Sequence, residues 1–121
     1  MDGADAAFPH VSYSAVLGRY VMVLNINVWR EFAKGRGPRR SGIYVAYSDD
    51  GIVWSTPKLL IRDWAVASTG KSVSWHPTVI WDDGQQRTGW LVYSHSPNWG
   101  HVHQGRTPHH MVARRIAFES P

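Results

Sequence analysis

Nine carboxylates, seven histidines and seven tryptophans are the side chains of this 121-residue sequence that could do chemistry or hold a ligand. Acid–base cleavage of a sugar linkage needs two carboxyl groups facing each other across the bond. The nine acids are not arranged for that. Asp2, Asp5 and Glu119 lie near the ends, and Asp49, Asp50, Asp82 and Asp83 fall in two turn segments. Asp63 sits in a connector and Glu31 in a basic loop. None falls within a predicted strand, so the expected set of catalytic residues is empty, with Glu31 the one exception that could be used. Cysteine is absent, which excludes a thiolate nucleophile, thiolate metal ligands and disulfides. No phosphate-binding loop, dinucleotide fingerprint or nucleophile elbow occurs.

Five of the histidines fall between residues 95 and 110. His101 and His103 would share one face of an extended strand, and His109-His110 adds two more imidazoles. Their spacing matches no structural zinc pattern, so the expectation is a polar loop with no metal and no cofactor. Trp75 and His76 differ in that they sit in a strand-like run, as do His10 and Tyr13. An aromatic ring beside polar groups suits a sugar, whose CH groups stack while its hydroxyls hydrogen-bond. Tyr13, Trp75, His76 and the loop residue Trp99 are the candidate ligand-binding residues.

Strands must position all of these. Aromatic and β-branched residues recur in short runs separated by Gly, Pro and Asp, which predicts strands over residues 10–16, 19–27, 42–48, 58–62, 72–81, 88–94 and 109–118. Pro77 interrupts the fifth. Residues 28–41 and 96–108 read as long polar loops, and 63–71 as a connector. No window shows helical periodicity. The two halves echo each other, which suggests a repeat of blade-like sheets over residues 8–62 and 72–118 within one domain. The formal charge of +4 is concentrated around Lys34–Arg40 and Arg106–Arg115, which argues against a nucleic-acid partner. No apolar run approaches the ~20 residues of a membrane span, and no signal peptide is recognisable, so the default compartment is cytoplasmic.

The most specific motif is Ser48-Asp49-Asp50-Gly51-Ile52-Val53-Trp54-Ser55, of the form S-x-D-G-x-x-W-S. Ser48, Asp50, Gly51 and Trp54 are expected to build a structural turn: Asp accepts backbone N–H groups, Gly takes a positive φ and Trp covers the hairpin. The motif resembles the aspartate-box-like turn of sialidases and five-bladed β-propeller glycoside hydrolases. Leu17-Gly18-Arg19-Tyr20-Val21-Met22, Gly42-Ile43-Tyr44-Val45-Ala46-Tyr47, Trp75-His76-Pro77-Thr78-Val79-Ile80 and Trp90-Leu91-Val92-Tyr93 are similar to strands of that family's last two blades. The resemblance implies an all-β, partial β-propeller of antiparallel four-stranded blades, without the earlier blades that carry most of the family's catalytic acids.

Together these readings lead to a non-catalytic, carbohydrate-associated propeller fragment that binds glycans weakly. Glycosidase-like activity assembled only in an oligomer is the first alternative, and a structural or protein-interaction module the second. Two blades leave apolar outer faces and open strand edges, so a homo-oligomer, most simply a dimer, is expected.

Overall fold

The computed structural model describes residues 4–28, 40–62, 65–66, 70–71, 73–96 and 110–119, with side chains described for 6–26, 40–62, 74–95 and 110–119. The β-branched and aromatic runs become nine strands: β1 (Ala4–Ser14), β2 (Arg19–Val28), β3 (Gly42–Ser48), β4 (Lys58–Arg62), β5 (Ala65–Val66), β6 (Gly70–Lys71), β7 (Val73–Trp81), β8 (Thr88–Ser96) and β9 (His110–Ala117). The described residues contain no helix, and none long and apolar enough to cross a membrane. β1-β2-β3-β4 form an antiparallel sheet, here sheet I, and β7-β8-β9 form sheet II; β5 and β6 make a two-residue ladder in the connector. The sheets do not close into a barrel. The chain is all-β, with antiparallel sheets of four and three strands.

Both sheets turn one face to a shared core. Val21, Val23, Ile43 and Val45 from sheet I pack with Val79, Leu91 and Tyr93 from sheet II, each 5% exposed or less. Burying a side chain of this size contributes about 1.5–3 kcal/mol. β3 is covered on both faces because Leu24, Ile26 and Tyr44 form a second apolar cluster on the far side of sheet I. Gly42 is forced by packing: its φ is +151° and a Cβ there would overlap the Ile61 carbonyl oxygen.

The first strand of each sheet carries the same irregularity. In β1, Ala7 pairs with Asn25 and His10 with Val23, so three steps on β1 match two on β2. In β7, Trp75 pairs with Ser94 and Thr78 with Val92, again three steps against two. Each is a one-residue bulge at an X-Pro dipeptide, with φ of +51° at Phe8 before Pro9 and +54° at His76 before Pro77. Proline disfavours the right-handed helical region for the residue before it and donates no N–H to the ladder, so both strands pinch out there instead of ending. Pro77 thus bulges β7 without interrupting it.

The turns at the other end hold the sheets in register. Ser48 Oγ accepts N–H bonds from Asp50 (3.3 Å) and Gly51 (2.8 Å) and donates to Asp50 Oδ1 (3.0 Å). Asp50 Oδ1 also accepts from Ile52 (2.8 Å) and Val53 (2.9 Å), and Gly51 has φ +78°. Ser55 N–H closes the loop on Tyr47 O at 2.8 Å. The S-x-D-G-x-x-W-S segment is therefore a structural turn. The second turn departs from the Asp-Gly expectation. Gln86, not Gly84, takes the positive φ, while Asp83 accepts N–H bonds from Arg87 and Thr88 at 2.8 and 2.9 Å. Gln86 is held because its carbonyl accepts from Ser14 Oγ at 2.6 Å and its side-chain Oε1 from Ala15 N–H at 3.2 Å, tying the two hairpins together.

Candidate functional site

The twin bulges set the site. Phe8 and His76, the left-handed residues of the two bulges, stack with ring centroids 3.8 Å apart and planes tilted by 39°. Both are exposed, Phe8 at 50%. Next to them, His10 Nδ1 accepts the Val79 N–H at 3.3 Å, a direct link from β1 to β7 just past both bulges. That bond makes Nδ1 the bare ring nitrogen and leaves Nε2 to carry the hydrogen. Asn25 lies across the ladder from Ala7, one residue before Phe8. Its side chain is fully buried, and among the described residues neither its amide nitrogen nor its oxygen has a hydrogen-bond partner. A buried carboxamide without partners costs about 1–3 kcal/mol, and at 0% exposure, like Ser74 below, it is closed to a ligand.

Opposite registers bring a second polar pair together. Ser74 and His95 face each other on β7 and β8, and Ser74 Oγ lies 3.2 Å from His95 Nδ1. Burial lowers the His95 pKa, helped by the charges of His110 and Arg114, so the ring is neutral near pH 7 and can accept the serine proton. A hydroxyl bonded to a neutral imidazole is the start of a nucleophile–base pair. Ser74 is fully buried, however, so no substrate atom can reach it, and the pair is structural.

Five of the nine carboxylates lie elsewhere. Asp49, Asp50, Asp82, Asp83 and Glu119 all sit at the hairpin end, away from the bulges. Arg19 pairs with Asp49 at 2.8 Å, and Arg115 bonds Asp82 while its guanidinium lies 5.2 Å from the Trp90 ring centre. Backbone N–H groups of Val53 and Ile52, with the Ser48 hydroxyl, hold Asp50 below the usual carboxylate range. Those of Thr88 and Arg87 do the same for Asp83. These acids are committed to turns. One placement corrects the sequence reading: Asp5 belongs to β1, paired with Asn27, not to a terminal segment outside the sheet. Its side chain is outside the described residues. No group of three or more metal-ligating side chains occurs among the described residues.

The four candidate ligand residues are not gathered in one place. His76 is exposed at the bulge. Trp75 is half-buried and shares a face of sheet II with its ladder partner Ser94. Tyr13 lies five residues along β1 from Phe8, about 16 Å at ~3.3 Å per residue, and packs edge-on against Tyr20 at 5.2 Å. Trp99, the loop histidines 101, 103 and 109, and Glu31 lie outside the described residues. A groove of about 350 Å³ at the hairpin end, lined by Leu17, Arg19, Tyr47, Leu60 and Phe118, contains none of the candidates.

No family model, curated protein or solved structure matches this chain. The functional reading therefore rests on the geometry alone. Phe8 and Asn25 are the residues that sequence reasoning missed. A signal for Phe8 was present, since Phe8-Pro9 and His76-Pro77 occupy the same place in the two halves. No sequence pattern marks Asn25, because its burial depends on sheet II covering β2.

Proposed function

We propose that this chain is a non-catalytic, carbohydrate-associated module of the β-propeller type, and that it binds glycans at the bulge end. The observation that carries this reading is the exposed Phe8–His76 ring pair at the twin bulges. An exposed ring face accepts the CH face of a sugar, and the imidazole nitrogens can hydrogen-bond its hydroxyls. Trp75 borders this platform, whereas Tyr13 is too far away to join it. Two sheets whose first strands carry the same bulge support the blade reading. Asp49, Asp50, Asp82, Asp83 and Glu119 sit at the far end, out of reach of the bulges, which favours binding over hydrolysis because a glycosidase needs two carboxylates at the bond.

A glycan array read with the parent chain and with Phe8→Ala tests this. Parent binding should be retained by Tyr13→Ala and fall about tenfold or more in Phe8→Ala, since a central aromatic anchor is worth more than ~1 kcal/mol. An array on which the parent binds nothing, or on which Phe8→Ala binds as the parent does, rejects the reading.

A further inference from the structure

The registers equate the two sheets residue by residue. Matching the bulges places Val23 with Val92, Val21 with Trp90, Ile43 with Met111 and Val45 with Ala113. In sheet I, Val21, Val23, Ile43 and Val45 face sheet II and are buried. In sheet II the equivalents lie on the opposite face from buried Leu91 and Tyr93, because side chains alternate along a strand. There Met111 is 74% exposed, Trp90 41%, and their neighbour Ile80 53%.

The complementary surface is open along β1, while Leu24, Ile26 and Tyr44 on the same face of sheet I are buried. Val79, Leu91 and Trp81 are the residues of sheet II that pack toward sheet I. Their equivalents in sheet I are Val11, Met22 and Tyr13, on its far face. Val11 and Tyr13 are each 48% exposed. The molecule thus contains one sheet-on-sheet interface already made and the two halves of a second, with apolar side chains at the same register positions. Within a single chain these halves point away from each other and cannot meet.

We propose that the open face of sheet II docks, head to tail, on the open face of sheet I of a second copy, repeating the packing between the sheets inside one chain. A head-to-tail contact is heterologous and ends only by closing a ring. Each copy adds two sheets, so a ring of the four to eight blades known for propellers closes with two, three or four copies. The proposal stands whether or not a glycan binds.

The chain has no cysteine, which makes disulfide trapping clean. Val11→Cys and Val92→Cys are prepared as single variants and oxidised alone and mixed. The mixture should give a disulfide-linked dimer, while each variant alone should give none. Light scattering on the parent should return two, three or four times 13.7 kDa. Met111→Glu should weaken association about tenfold or more, and because Met111 is exposed its thermal unfolding in the dissociated state should match the parent's. Val92→Cys linking to itself would mean a two-fold contact between like faces and overturn the proposal. So would a parent monomer of 13.7 kDa with no trapped dimer.

Discussion

Replacing His76 separates the backbone of the bulge from the ring it carries. At φ +54°, a residue with a Cβ is held in the left-handed region at a cost of about 1–2 kcal/mol. His76→Gly removes that strain. It also adds about 0.5–1 kcal/mol of unfolded-state entropy and forfeits a ring contact with Phe8 worth roughly 0.5–1.5 kcal/mol. These terms nearly cancel, so His76→Gly should lie within about 1 kcal/mol of the parent. His76→Val loses the same contact and places a β-branched residue where the left-handed conformation is least tolerated. It should cost about 2–4 kcal/mol. Urea unfolding followed by tryptophan fluorescence, at one fixed protein concentration so that association does not shift the midpoint, measures both. Equal stability of the Gly and Val variants would show that position 76 is not held left-handed, and the twin-bulge description would fail. With the bulge intact, His76→Gly should still lose glycan binding, because the ring and not the backbone makes the platform.

Leu91, 1% exposed between the sheets, should cost about 2–5 kcal/mol when cut to Ala, and calorimetry should show one cooperative transition for both proteins. Trp54 is half-buried and belongs to neither core cluster, so Trp54→Ala should cost less than Leu91→Ala in the same urea experiment. His95 has its pKa lowered in the fold by burial, so the folded state favours the neutral ring. Its contribution is complete above the unfolded value of about 6.5 and is lost as the pH falls through the lower folded value. Unfolding midpoints compared between pH 7.5 and 5 should therefore drop more steeply for the parent than for His95→Gln.

The strands were legible because their residues alternate and their turns carry Asp and Gly. Sheet I and sheet II fall where the runs around Val21, Val45, Val79 and Leu91 predict them. β1 starts earlier than its pattern, at Ala4, because pairing with β2 continues past a bulge that breaks the alternation at Phe8-Pro9. The Ser48–Asp50–Gly51 part of the turn was readable, since each of its bonds is local. The site was readable only in part. His76 and Trp75 were visible as an aromatic–imidazole pair, but Trp75 follows the face of Ser94 while His76 turns onto Phe8, a consequence of the bulge. Trp90 lies on the open face of sheet II under Arg115. Asn25 and the Ser74–His95 pair depend on contacts between distant segments, which no local pattern encodes.

Glycan binding at the bulge end is tested most directly by titrating the isotope-labelled chain with the oligosaccharide that binds best on the array, followed by amide NMR. The largest shifts should map to residues 7–10 and 74–78. Shifts confined to the hairpin-end groove or to the open sheet faces would contradict the account.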